Sequence, residues 1–222
     1  RLVFAGAGAS AHGIAELFVS ALVEEGMPVD EARKRIWTCD TKGLAVSDRP
    51  GLEGFKKEFS RDRAELASWK VADPGKITLE ETIDNARPTI LIGVSATPGT
   101  FTEALVKKMA AMNARPLIFP LSNPTSKSEC TAEQAVQWSG GTAIVATGSP
   151  FAPVTHDGVK HRIGQCNNAF IFPGIGLGCC VGRAKHVSDG MFLEAAKALA
   201  THVTEADIEE SAVYPQLSTI RD

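Results

Sequence analysis

Apolar residues gather along this chain in five short runs: Leu2–Ala5, Ile36–Cys39, Thr89–Val94, Leu117–Leu121 and Ala143–Thr147. Each has the length of a strand. Most are uniformly apolar rather than alternating, as strands buried on both faces of a parallel sheet are. Between them apolar positions recur at helical spacing. Ile14, Leu17, Phe18, Ala21 and Leu22 share one face after the first run. Ser188 opens a second such pattern, with Phe192, Ala195, Ala196, Leu199 and Val203 on one stripe. Thr78 with Glu81, Thr100 with Glu103, and Thr131 with Gln134 have capping-box spacing and predict helix starts. Strands alternating with helices predict an α/β fold over residues 1–222, a doubly wound, mostly parallel sheet flanked by helices. Ala45 to Lys76 breaks the rhythm with Pro50, Gly51, Gly54, Pro74, Gly75 and many charges. It predicts a long surface excursion plus a helix, a kind of segment that is often functional.

Composition narrows the classes. A chain of 222 residues, 44% of them hydrophobic, supports one large or two small domains with a real core. The formal net charge of -3 gives no basic excess for a nucleic-acid surface. The longest apolar run, Phe170 to Val181, is broken by Pro173, Gly174, Gly176 and Gly178 and falls short of the roughly 18 residues of a membrane span. Five cysteines, an odd number with no CxxC pair, argue against a disulfide framework or a zinc site and for free thiols in a reducing compartment. Cys166 stands apart because it sits beside Gln165, Asn167 and Asn168.

The first strand opens at residue 1 without Met or lead-in, so the chain is expected to be part of a longer protein. The strand runs into Gly6, Ala7, Gly8, Ala9, Ser10 and Ala11, and then into a helical pattern. Such a strand, glycine turn and helix let backbone N–H groups hold a pyrophosphate. Ala11 occupies the third glycine position, and Gly13 lies inside the helix, where it is expected to permit close packing on the strand. A tight turn with no ligand is the alternative.

Asp40 ends the second strand, where an acid bonds the ribose hydroxyls of a dinucleotide; it lies 34 residues after Gly6, later than usual, because the first helix is long. A cap of the turn Asp40 to Gly43 is the alternative. Lys42, Arg49, Lys56 and Lys57 follow, and as a cluster they could neutralise a 2′-phosphate; singly, each reads as a solvated charge. Pro124 forces Asn123 out of the helical region at the end of the fourth strand. Asn167 and Asn168 precede an apolar run that is expected to be buried. Amides in such places suit recognition of carboxylate or carboxamide groups, or serve as structural hydrogen-bond partners.

Together these pieces resemble the malic enzymes, specifically their dinucleotide-binding domain, over essentially the whole chain. The likeness rests on Phe4 to Gly8 with Gly13 to Ala15, on Trp37 with Asp40 to Leu44, and on Leu91 to Ser95 with Gly99, Phe101 and Thr102. It continues through Ser122 to Ser126 with Glu129 to Glu133, Ala146 to Phe151, Gly164 to Gly178, His186, Phe192 to Lys197, and Tyr214 with Pro215. The stretches Asn167 to Gly176 and Ser122 to Thr125 are the most specific.

The resemblance implies a Rossmann-like fold and oxidation of L-malate by NADP, with NAD as the alternative, followed by decarboxylation to pyruvate with Mg²⁺ or Mn²⁺. Gly6, Ala7, Gly8, Ala9, Ser10, Ala11 and Gly13 would hold the pyrophosphate and Asp40 the adenine ribose. Lys56, with Lys42, would meet the 2′-phosphate, and the Val94-Ser95 turn would line the cofactor. Asn123 and Asn168 would touch malate and the nicotinamide end. Cys166 departs from the Gly or Ser of many members. The family's base, acid and metal carboxylates lie upstream of the glycine turn, so no catalytic or metal residue maps here, and Tyr214 lies outside that motif. The domain's last helices are expected beyond Asp222.

The chain alone is expected to be inactive. The full-length enzyme is expected to be a homo-oligomer without nucleic-acid or membrane partners. Its expected location is the cytoplasm, or alternatively the mitochondrial matrix. A malolactic enzyme and a non-catalytic dinucleotide-binding module are the competing readings.

Overall fold

Leu2, Val3, Phe4 and Ala5 are all buried, but they point alternately to two separate cores. That is why the run is uniformly apolar: both faces of its strand are covered. The computed structural model describes residues 1–52 and 54–216. The elements begin with β1 (Leu2–Ala5), α1 (Ala9–Glu24), α2 (Val29–Arg33), β2 (Ile36–Asp40), β3 (Gly43–Leu44) and α3 (Gly54–Glu58). There follow α4 (Leu79–Ala86), β4 (Ile90–Gly93), α5 (Glu103–Met112), β5 (Leu117–Pro120), α6 (Ala132–Trp138) and β6 (Ile144–Thr147). The described chain ends with β7 (Val154–His156), β8 (Val159–His161), β9 (Gly164–Gln165), α7 (Phe172–Gly182), α8 (Asp189–Thr201) and α9 (Glu205–Glu209).

Seven strands form one sheet in the order β3-β2-β1-β4-β5-β6-β9. All neighbours pair in parallel except β3, which runs antiparallel to β2. This is the doubly wound sheet that the sequence predicts. The strand order reverses between β1 and β4, so a crevice opens at their C-terminal ends. The separate hairpin β7–β8 and the two-residue strand β9 lie outside the five apolar runs. One core gathers Val3, Leu91, Phe101, Met109, Ile118 and Val136 under α4, α5 and α6. The other gathers Leu2, Phe4, Ala15, Val19, Ile36 and Ile92 under α1 and α2.

Two predicted helix starts are as read: both Thr78–Glu81 and Thr131–Gln134 form reciprocal capping boxes. The third is not. The cap of α5 is Thr102, whose hydroxyl accepts from Leu105 N, while Thr100 Oγ1 donates to Thr97 O within the preceding turn. Gly13 also differs from expectation: it is exposed, and a Cβ there would meet nothing within 4 Å. Ala11 and Ala15 are the small residues that let α1 lie close on the sheet.

The excursion after β3 is no loose surface loop. Val46, Leu52, Phe59 and Leu66 are buried, and the Arg61 guanidinium lies 5.0 Å from the centre of the Trp37 ring. The apolar run at Phe170 to Val181 is the largest departure. It forms α7, yet none of that helix is buried, and Leu177 and Val181 are 67% and 76% exposed. Among the described residues α7 packs on α8 and on the short turn before it, and nothing covers its outer faces. All five cysteines are free. Among the described residues, no helix is long and apolar enough to cross a membrane.

Candidate functional site

β1 leaves the sheet through Gly6, whose φ of +117° is a conformation side chains rarely adopt. A Cβ there would also sit 2.6 Å from the Val94 carbonyl oxygen, so the turn lies hard against the exit of β4. Gly8 caps α1 without any side-chain hydrogen bond, and no acid occupies the first turn. His12 N donates to Gly8 O at 3.1 Å, which leaves the N–H groups of Ala9, Ser10 and Ala11 without an intrahelical acceptor. A helix N-terminus in this state attracts an anion. Gly6, Ala7 and Gly8 line a cleft of about 500 Å³ closed by Asp40 to Lys42, Arg49 to Gly51, Val94 and Ser95. Ala9 and Ser10 are exposed, Ala11 is buried in the core, and Gly13 lies further along α1; none of these four lines the cleft.

Asp40 ends β2 at the cleft and is already heavily engaged. Arg49 grips it with two bonds, Nη2 to Oδ2 at 2.6 Å and Nη1 to Oδ1 at 3.0 Å. Lys42 N donates to Oδ1 at 2.9 Å, and Lys56 Nζ lies 3.4 Å from Oδ2. Partial burial opposes the charged form, but Arg49, the Lys42 N–H and Lys56 outweigh it and hold the carboxyl below the usual range. Arg49 also donates to the Gly43 and Leu44 carbonyls, which fixes its fork in place. Lys42 and Lys56 line the cleft with Arg49, whereas Lys57 is exposed and outside the lining.

The next strand ends approach the same edge. β4 exits through Val94 and Ser95 into Ala96, a non-glycine residue at φ +54°. One buried carboxylate holds this turn. Glu129 Oε1 accepts from Ser95 N and Ser95 Oγ, both at 2.8 Å, and from Ser122 Oγ at 2.6 Å. Ser122 Oγ in turn accepts from Ala96 N at 2.9 Å. Glu129 is fully buried. Its role is hard to foresee from sequence, because a Glu after Ser126, Lys127 and Ser128 reads as solvated. The signal is remote: a Cβ on Gly93 would fall 2.5 Å from the Glu129 carboxyl carbon.

Asn123 follows β5, joined to Pro124 by a cis peptide bond, and its Oδ1 accepts from Ser149 Oγ at 2.5 Å. Gly148 makes room for it, since a Cβ there would lie 2.7 Å from Asn123 Nδ2. Asn168 begins a single 3₁₀ turn after β9, whose Asn167 Oδ1 accepts from Ala169 N at 2.9 Å. The Asn168 side chain is exposed. Both asparagines sit on the C-terminal edge, beyond the cleft in the direction β5-β6-β9, and neither lines the cleft itself. Beside them, Tyr214 Oη donates to Cys166 Sγ at 3.2 Å, and burial pushes that thiol upward.

Among the described residues, no cluster with metal-ligand spacing lies at this edge. Among the described residues the group with suitable spacing is His12, Glu16 and Glu58. It lies between α1 and α3, and the Arg33 guanidinium already pairs with Glu58 at 2.8 Å. A larger apolar cavity, about 1130 Å³, is lined by residues of α1, α7 and α8.

The family model described as malic enzyme, NAD binding domain, matches residues 1–222. An NAD-dependent malic enzyme of Shewanella sp. (strain ANA-3) is 46% identical over 220 residues, 99% of this chain and 39% of that protein. The mitochondrial NADP-dependent malic enzyme of Mus musculus is also 46% identical, over 99% of this chain and 35% of its own length. An NAD-dependent malic enzyme of Edwardsiella ictaluri is 43% identical over the same share of this chain as the Shewanella protein. The chain thus spans well under half the length of these relatives. A parallel sheet reversing at β1 and β4, a bare helix N-terminus at the reversal and this similarity along the full chain agree: the chain belongs to the family of malic enzyme NAD-binding domains.

Proposed function

We propose that this chain is the dinucleotide-binding part of a longer enzyme that oxidises L-malate and decarboxylates the product to pyruvate and CO₂, with NADP preferred. The observation that carries this reading is the shared edge of the sheet. The bare N-terminus of α1, the Ser95 turn and the two asparagines follow one another along the C-terminal ends of β1, β4, β5 and β9. The backbone N–H groups at Gly8 to Ala11 take the pyrophosphate. The turn at Val94-Ser95 supports the nicotinamide half. Asn123 and Asn168 present uncharged donors and acceptors to the malate carboxylates and the carboxamide, and so orient the C2–H bond without adding a charge of their own. The bound dinucleotide supplies the hydride acceptor. The proton acceptor for the C2 hydroxyl, the proton donor for the enol and the divalent metal, Mg²⁺ or Mn²⁺, are assigned to parts of the protein outside this chain. Residues 1–222 alone are therefore expected to give no NADPH from malate and Mn²⁺. A cytoplasmic homo-oligomer, or a mitochondrial matrix one, completes the reading.

Charge at the adenosine end supports NADP. Asp40 pairs with Arg49 and Lys56, and Lys42 lines the same cleft, so cations outnumber the carboxylate there and the local balance favours a 2′-phosphate. Asp40 is also the feature that favours NAD, and relatives named for either cofactor resemble this chain equally. In the full-length enzyme, Lys56→Gln is expected to lower kcat/KM for NADP about ten- to a hundredfold and to leave NAD nearly untouched, the scale of one charge-assisted contact. A wild type that prefers NAD, or a variant that loses both cofactors equally, rejects this assignment.

A further inference from the structure

Glu129 lies behind the site rather than in it. It is fully buried, and among the described residues its carboxylate is paired with no cation and its hydrogen-bond partners are neutral N–H and O–H donors. Those donors come from the turns that end the neighbouring strands β4 and β5. Ser95 belongs to the exit of β4, which lines the cleft, and Ser122 is the neighbour of Asn123. A relay joins them: Ala96 N–H donates to Ser122 Oγ, whose own proton goes to Glu129, while Thr97 N donates to Ser95 Oγ, which also donates to Glu129. The carboxylate is thus the common acceptor that fixes the direction of both hydroxyls.

We infer that Glu129 is a positioning residue that locks the cofactor turn and the Asn123 turn together. It touches neither ligand, and the inference rests on the dinucleotide reading of the cleft proposed above. Oε1 takes three donors and Oε2 faces Ser122 N at 3.4 Å, so an acceptor is required on both sides of the carboxyl. An amide of the same shape cannot supply that: in either orientation its NH₂ faces a donor. Glu129→Gln therefore isolates the role, because volume is kept and only the acceptor pattern changes.

The test uses the full-length enzyme carrying Glu129→Gln, Ser122→Ala or, as control, Ser139→Ala. Ser139 is buried at the opposite edge of the sheet, where its Oγ bonds Val136 O and accepts from Ala143 N. Dissociation constants for NADPH and NADH are read from nucleotide fluorescence without turnover, and KM for malate and melting temperature are measured beside them. Glu129→Gln is expected to raise both the nucleotide dissociation constant and the malate KM at least tenfold. Ser122→Ala is expected to raise both at least threefold, whereas Ser139→Ala lowers the melting temperature and leaves both constants alone. If Glu129→Gln does not fold, Ser122→Ala decides by the same threefold limit. Constants that rise less than threefold while melting temperature drops make Glu129 merely structural and overturn the inference, as does a rise in only one of the two. A wild type that binds neither nucleotide overturns the reading of the cleft itself, and this inference with it.

Discussion

The strands from β1 to β6 and the helices from α7 to α9 are held by different means. In the first region nearly every strand residue is buried, and α1, α4, α5 and α6 each sink two or more residues into a core. In the second region no helix has a buried residue. Its attachments are polar instead. Lys197 on α8 pairs with Glu24 on α1, Arg162 pairs with Asp207 on α9, and Thr204 closes a capping box with that same Asp207. Yet α7 has no charged residue from Phe172 to Gly182, and it exposes Phe172, Leu177 and Val181. An apolar helix pinned by polar contacts on its neighbours has not used its own driving force, about 25 cal/mol for each Å² buried. The sheet is therefore stable through its packing, and the C-terminal layer is positioned by it.

Thiol chemistry gives the widest separation between the two regions. Cys39 and Cys130 lie in the sheet core, where burial pushes each thiol up to about 12. Cys180 on α7 is exposed. At pH 8 a thiol near 12 is only about one part in ten thousand thiolate, and burial also keeps a reagent away from it, whereas Cys180 lies open to solvent. A disulfide reagent at pH 8 should label Cys180 at least about a thousandfold faster than Cys39 or Cys130, as peptide mapping over time would show. Equal rates would mean that the sheet core opens as readily as the outer layer.

Packing gives the next largest difference. Phe4→Ala, at a position with no exposure, should cost about 3–5 kcal/mol in urea unfolding of residues 1–222. A loss under about 1 kcal/mol would remove the case for a sheet held by its core.

A smaller effect belongs to Asp40. Its carboxyl is held below the ordinary value in the fold, so its contribution to stability is present above the unfolded value of about 3.9 and is lost as pH falls through the lower folded one. Asp40→Asn should therefore flatten the acid side of the stability profile below about pH 4 and leave its shape near neutrality unchanged. An unaltered acid limb would show that Arg49 and Lys56 do not stabilise the charged form.

The smallest change is expected at Leu177→Ala, less than about 0.5 kcal/mol in residues 1–222, because that side chain is 67% exposed. The same substitution in the full-length protein sharpens the comparison, since a larger loss there measures how far the α7 face is covered.

Much of the sheet was legible in the sequence because strands covered on both faces cannot hide their apolarity; Leu2–Ala5 and Ile36–Asp40 are instances. β9 was not legible, because Gly164 and Gln165 carry no apolar signal and their pairing is set by Ala146 and Thr147 of β6. The start of α5 departs from the sequence expectation for a local reason. Thr100 and Thr102 both offer hydroxyls, and only the backbone decides which lies next to the first helical N–H groups. α7 misled in the opposite way, since its composition announces burial and nothing among the described residues provides it. At the site, the glycine turn and Asp40 at the end of β2 are legible from types and spacing, whereas Lys56 stands out from its neighbouring cations only through the family resemblance. The Arg49 fork on Asp40 and the Glu129 relay depend on how loops fold back, which residue types do not encode.

The contact between Gly93 and Glu129 carries a lesson about inheritance. The carboxyl of Glu129 occupies the space a Cβ at 93 would need, so the two positions, 36 residues apart, form one unit of variation. A side chain at 93 must displace the Glu129 carboxyl from its bonds to Ser95 and Ser122, so the glycine and the bonded acid depend on each other. Chimeras of this domain with a relative are therefore safe when both positions come from one parent. A crossover between them risks joining an incompatible pair even when each parent folds well.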